Sequence, residues 1–258
     1  MSKMPVLFLG HGSPMNAIEE NEFTRSWVDI GVNLPKPKAI LSISAHWFTD
    51  GTRICDELHP KQIYDMYGFP RELYELKYPV LGSPEYAHIT MGVLRKEVSI
   101  DNSWGIDHGT WSVLCHMFPK ADIPVYQLCI DRRLDAEAHY MLGQELSSLR
   151  DQGVLILGSG NVVHNLAKIN WELENGYPWA EEFDAYIKEA ILEGNHHKVI
   201  HYEQSGKSSE MAFVTPEHFY PLLYVLGAAG LSNSVQVYND ACILGSLSMT
   251  GYIFETPQ

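Results

Sequence analysis

The sequence predicts an α/β protein, a single domain with a central, mostly parallel sheet flanked by helices and with its active site at the carboxyl edge of the strands. Three observations predict it. Short apolar runs at 6–9 (VLFL), 39–45 (AILSISA), 124–130 (PVYQLCI) and 154–157 (VLIL) are continuous rather than alternating, as in strands covered on both faces. Helical patterns lie between them, so successive runs read as β-α-β units. Three of the runs are followed within a few residues by histidine, namely His11, His46 and His164. Loops at the carboxyl ends of such strands converge on one crevice, which is where ligands bind in open α/β sheets.

Taken in order, the first strand gives way to GHGSP at 10–14 and then to a helix over 17–30, capped by Asn16 and carrying Ile18, Phe23, Trp27 and Ile30 at near-helical spacing. LeuProLysProLys at 34–38 ends that helix, and the strand at 39–45 runs directly into His46-Trp47. Residues 48–82 are aromatic and Pro-containing with little periodicity, which suits a pocket wall or lid, or else a loop packed on the surface. Ser83, Pro84 and Glu85 start a helix reaching about 96 with His88 inside it. A short strand at 97–101 precedes Asp107-His108-Gly109, which reads as a turn before a helix over 110–118. After the strand at 124–130 comes an amphipathic helix over 134–150, carrying His139 and closed by Gly153. The strand beginning at Val154 ends in a Gly-rich turn at Gly158 and Gly160. Beyond it are expected a helix near 179–193, a solvated His196-His197 pair in a loop, a helix from Thr215-Pro216-Glu217 to about 228, and closing strands at 234–239 and 246–254.

Composition narrows the function. At 258 residues and 45% hydrophobic content the chain can bury one sizeable core. Its 18 basic and 32 acidic residues give a formal net charge of −14, so the electrostatic footprint of a nucleic-acid or anionic-membrane binder is missing. The four cysteines form no CxxC pair, which argues for reduced thiols in a cytoplasmic protein. No signal-like N-terminal segment and no apolar run near 18 residues is present, so neither export nor a membrane anchor is expected. GlySerGly at 158–160 is too short for a dinucleotide fingerprint.

The informative set is therefore His11, His46, His164 and His218, three leaving strands and one at a helix start. Imidazole clusters of this kind suit zinc, iron or copper, whereas magnesium and calcium want oxygen ligands. His108, on a turn with a carboxylate beside it, suits an acid/base or supporting role.

Together, GHGSP at 10–14, SAHW at 44–47, DHGTW at 107–111, GSGNVVHN at 158–165 and TPEHFYPLLYVLGA at 215–228 resemble, in that order, the class III extradiol ring-cleavage dioxygenases, most closely the DOPA 4,5-dioxygenase type. The resemblance runs from about residue 5 to 250. It implies a non-haem Fe(II) enzyme that inserts both atoms of O2 into a catechol and opens the ring beside the two hydroxyls. His11 and His46 would be metal ligands and His218 the third, with His164 either a further ligand or the acid/base histidine, and His108 a second catalytic residue. Glu217 stands beside His218 where the wider class uses a carboxylate ligand, and the DOPA-type pattern favours the histidine. Ser13, Trp47, Asn161 and Tyr220 are the candidate substrate contacts. A histidine-only site also binds zinc, so Zn(II) can fill it in purified protein. A zinc hydrolase on these ligands is the competing enzyme reading, although no HExxH helix is present; a binding protein that retained the fold is the non-enzymatic one. No Arg or Lys can be placed in the pocket from sequence, which leaves the choice among catechols open.

Overall fold

The computed structural model describes residues 3–231 and 234–256. Its strands are β1 (Val6–Gly10), β2 (Ala39–Thr49), β3 (Arg53–Ile54), β4 (Ser99–Ile100), β5 (Val125–Asp131), β6 (Val154–Gly160), β7 (Ser234–Tyr238), β8 (Cys242–Ile243), β9 (Leu247–Ser248) and β10 (Gly251–Glu255). The helices are α1 (Glu22–Asn33), α2 (Arg71–Glu75), α3 (Pro84–Val93), α4 (His108–Met117), α5 (Ala136–Leu146), α6 (Pro178–Leu192), α7 (His196–Ile200), α8 (Lys207–Ala212) and α9 (Tyr220–Ala229).

Eight strands form one sheet in the order β4-β3-β5-β2-β6-β1-β10-β7, and β8 with β9 makes a separate hairpin. The centre, β5-β2-β6-β1, is all parallel, while β10 and β7 close one side antiparallel. The continuous apolar runs are explained by what lies above and below. Side chains alternate across a strand, so Phe8, Ile156 and Tyr126 join one core with residues of α5, α6 and α9. Leu7, Leu9 and Leu155 face the other core, with Trp27 and Ile30 of α1 and Trp111 and Leu114 of α4.

Several boundaries differ from the sequence expectation, each for a local reason. Helix α1 begins at Glu22 rather than 17, because Asn21 and Thr24 form a reciprocal capping box, each side-chain oxygen accepting from the other's backbone N–H at 3.0 Å. Asn16 is no cap; it lies in a 3-10 turn at Pro14–Ala17 capped by Ser13. The helix over 134–150 ends at Leu146 and tightens into a 3-10 turn that Gly153 closes at φ 87°. The Gly158–Gly160 turn is instead the end of β6. A Cβ at Gly158 would lie 2.8 Å from the Pro221 carbonyl oxygen and 2.7 Å from Val225, so the glycines let α9 pack against the strand. The expected helix over 215–228 is a 3-10 turn at Pro216–His218 followed by α9. His196 is not solvated. It is buried on α7, with Nδ1 3.0 Å from the Tyr140 hydroxyl.

Candidate metal centre and active site

β1 and β2 deliver two histidines to the same edge of the sheet by different means. His11 follows β1 directly, its backbone N–H bonded to the Gly160 carbonyl of the neighbouring strand. His46 lies within β2, which runs on to Thr49 instead of stopping at residue 45. The register with β5 shifts between Ile43 and Phe48, and such an irregularity re-aims the side chains it contains. The third, His218, ends the 3-10 turn before α9. Ring centroids stand 4.7 Å apart for His11 and His46, 5.4 Å for His11 and His218, and 5.2 Å for His46 and His218. One nitrogen from each of the three lies within 4.8 Å of the others, which is the spacing of ligands around one ion.

Hydrogen bonding decides which nitrogens are free. The Ser159 hydroxyl donates to the Gly109 carbonyl at 2.5 Å, so in its 3.0 Å contact with Nδ1 of His11 it accepts. His11 therefore carries its proton on Nδ1 and presents the lone pair of Nε2. His218 is fixed in the same sense, with Nδ1 3.1 Å from the Glu217 carboxylate and Nε2 buried without any partner among the described residues. An orphaned imidazole lone pair in a buried cluster fits a metal ion. Burial, reinforced by neighbouring imidazoles, holds both His11 and His218 well below the usual histidine range, so both are neutral as ligands must be.

His46 sits between two carboxylates, with Nδ1 3.3 Å from Asp65 and 3.5 Å from Asp107. Burial opposes its charged form, but Asp107, then Asp65, outweigh burial and raise the pKa above the ordinary value. Asp107 is fully buried. It accepts from Ser44 Oγ at 2.7 Å, Gln127 Nε2 at 2.8 Å and Trp104 Nε1 at 3.2 Å while capping α4. Burial would raise its pKa, yet His46, Gln127 and Ser44 together bring it down to about 2. Buried carboxylates behind ligating histidines orient the ring and raise its basicity.

His108 is the first residue of α4 rather than part of a turn. Its ring stacks on His46 at 4.0 Å, and Asp65 Oδ1 lies 2.9 Å from its Nδ1 while accepting from its backbone N–H at 3.0 Å. Burial, then His46, lowers the His108 pKa. Asp65 was not singled out from the sequence, although the 48–82 connection that holds it was read as a possible pocket wall. His164 stacks face to face on His218, with centroids 3.4 Å apart and planes 5° apart. Burial, then His46, pushes its pKa down to about 3.

These five imidazoles line one cavity of about 450 Å³. Ser13 and Asp65 line it too, and the apolar wall comes from Met66, Tyr67 and Phe69 on one side and Leu166, Ile169 and Trp171 on another. Three expected substrate contacts lie outside this lining. Trp47 follows His46 on a strand, so it points to the opposite face and stacks on Trp104 beside Cys55 and Cys129. Asn161 is fully buried and donates to the Ser248 carbonyl at 2.7 Å, tying β6 to β9. Tyr220 packs on His139, 4.3 Å between rings. Strand alternation alone would have separated Trp47 from His46.

Comparison with known proteins gives a family to this geometry. Residues 4–254 match the family described as the catalytic LigB subunit of aromatic ring-opening dioxygenase. The chain is 44% identical to the 4,5-DOPA dioxygenase extradiol of Escherichia coli K12, covering 96% of this chain and 93% of that protein. It is 40% identical to the 4,5-DOPA dioxygenase extradiol of Beta vulgaris, covering 96% of each. The crystal structure of an uncharacterized Escherichia coli K12 protein superimposes with a TM-score of 0.85 at 40% identity, over 97% of this chain and 99% of that one.

Proposed function

The chain belongs to the family of aromatic ring-opening dioxygenases built on the LigB catalytic subunit, and from that membership we propose that it opens a substituted catechol such as DOPA with O2, using Fe(II) held by His11, His46 and His218. It is an extradiol dioxygenase; the substrate, the metal and the residue roles are our reading. The observation that carries them is the convergence of three imidazoles in which the outward nitrogens of His11 and His218 are already hydrogen-bonded and the buried Nε2 of His218 has no partner among the described residues. Fe(II) held by these residues would supply redox chemistry between a catechol and O2 that redox-inert Zn(II) on the same residues would lack.

The chain's own residues would manage the protons. His164, neutral and lining the cavity beside His218, accepts the proton of a catechol hydroxyl and returns it when the ring opens. Its ring lies flat on that of His218, which supports a base rather than a fourth ligand. His108, backed by Asp65, holds a second polar group against the ring's hydroxyls, and the carboxylate partly offsets the burial that keeps this imidazole neutral. Glu217 fixes the tautomer of His218 and so acts through it. Ser13 offers a hydroxyl at the cavity wall. All four cysteines are free thiols, which supports a reducing, cytoplasmic setting. No described helix is long and apolar enough to cross a membrane.

The test is O2 uptake by metal-stripped protein reloaded anaerobically with Fe(II) and offered DOPA and other catechols, alongside zinc-loaded protein and His164→Ala. Uptake matched by a coloured ring-opened product with iron alone, and lowered by about 10²-fold or more in the variant, is expected. No uptake with any catechol at full metal occupancy would overturn the reading.

A further inference from the structure

The mouth of the cavity is more apolar than a soluble surface requires. Tyr67 is 92% exposed, Trp171 71% and Leu166 59%, yet all three line the same cavity. Large side chains left in water singly are ordinary, whereas several rimming one concave site mark a surface that a ligand covers.

Both arms that present them are pinned. The Met66–Phe69 turn is clipped by Tyr74, whose hydroxyl lies 3.5 Å from the Met66 carbonyl and accepts from the Phe69 N–H at 3.4 Å. Trp171 rides a turn in which Leu173 N–H bonds Asn170 O. Asn170 and Leu173 are in turn bonded to Leu244, itself part of the lining, at 2.9 and 3.1 Å. Among the described residues the lining also contains no Lys or Arg, and the one carboxylate among them, Asp65, is engaged by His46 and His108. Lys168 is exposed and outside the lining.

We propose that Tyr67, Leu166 and Trp171 form an apolar collar that grips the ring substituent of the catechol, and that a carboxylate on that substituent makes no ion pair with the protein. The proposal rests on the catechol reading above and specifies its substrate class: the enzyme selects catechols by the apolar surface of the substituent next to the ring. DOPA fits through its methylene, with its charged end left in water at the mouth.

Anaerobic calorimetry on zinc-loaded protein measures this without turnover, using catechol, 4-ethylcatechol, dopamine and DOPA. Burial of two carbons makes 4-ethylcatechol bind about tenfold tighter than catechol. DOPA and dopamine, which differ only by the carboxylate, bind within about threefold of each other. Tyr67→Ala and Trp171→Ala, both at exposed positions and checked for folding by circular dichroism, reduce the ethylcatechol-to-catechol ratio about threefold or more. W171R, which places a cation at the mouth, creates a preference for DOPA over dopamine. A wild-type preference for DOPA above threefold, or an ethylcatechol-to-catechol ratio unmoved in both alanine variants, overturns the collar. Failure of catechol itself to bind would instead indict the catechol reading.

Discussion

The Ser159 hydroxyl lies 3.0 Å from Nδ1 of His11 and gives its own proton to the Gly109 carbonyl, so the imidazole has to donate. One serine thereby selects the tautomer that leaves Nε2 bare. Ser159→Ala removes the acceptor, and the buried ring gains no other partner for Nδ1. Metal affinity should fall by about tenfold, read by competition against a chromophoric chelator, with thermal stability much less affected. Wild-type affinity in this variant would show that packing alone orients His11.

The glycine whose carbonyl takes that proton is constrained as well. A Cβ on Gly109 would stand 2.9 Å from Ser44 Oγ and 3.0 Å from His46 Cε1 and Nδ1, closer than side chains tolerate. Gly109→Ala should therefore move the His46 ring rather than the helix, because Gly109 lies in the first turn of α4 where alanine is otherwise favoured. The expected result is a folded protein with about tenfold or greater loss of metal affinity; an unfolded one would place the strain in the core instead.

Asp107 links β2, β5 and the start of α4 through one carboxylate, which makes it a sensitive probe of how His46 is held. Asp107→Asn keeps the volume but removes the charge facing His46 and puts an amide donor opposite Ser44, Gln127 or Trp104, all of which donate. Metal affinity should drop about 10- to 100-fold. The pH profile should change too. With its pKa lowered to about 2, the native carboxylate adds stability that is fully present above the ordinary value near 4 and is lost as pH falls towards 2. Acid unfolding of the variant should lack that contribution, and overlapping acid limbs would count against it.

How much of this was legible in the sequence depends on whether the signal was local. The central strands were, because continuous apolar runs between helices leave few other folds, and so was the edge that carries His11 and His46. Asp65 was not. Of its partners, His46 lies 19 residues before it and His108 43 residues after it, and nothing in an aperiodic loop distinguishes one acidic residue from its neighbours. Trp47 and Tyr220 were expected near the ring as aromatic side chains that could stack on it, but strand alternation and helix packing carry them elsewhere. Glycines at 158 and 160 suggested a turn, whereas they mark the close approach of α9 and the turn before it to a strand. The His164–His218 stack brings together residues 54 positions apart, which no spacing rule would have paired.

Asp184 supplies a last test, remote from the histidine cluster but connected to it through packing. On α6 it is 4% exposed and accepts from Ser248 Oγ at 2.5 Å and Thr250 Oγ1 at 2.8 Å. Between those residues lies Met249, whose backbone and side chain pack against Gly10 and Gly12 on either side of His11. Burial raises the Asp184 pKa to about 6, the two hydroxyls opposing it only in part. For an acid, a pKa raised on folding means that the native state retains a proton the unfolded chain gives up. The contribution to stability is fully present below about 4 and is lost as pH rises through 6, a swing of about 3 kcal/mol. Asp184→Asn cannot titrate, so the difference in unfolding free energy between wild type and variant, followed by urea denaturation from pH 4 to 8, should shift in the variant's favour across that window. A difference that stays constant with pH would mean that Asp184 is ionised at the same pH whether the chain is folded or not. The hydrogen bonds to Ser248 and Thr250 would then offset burial completely.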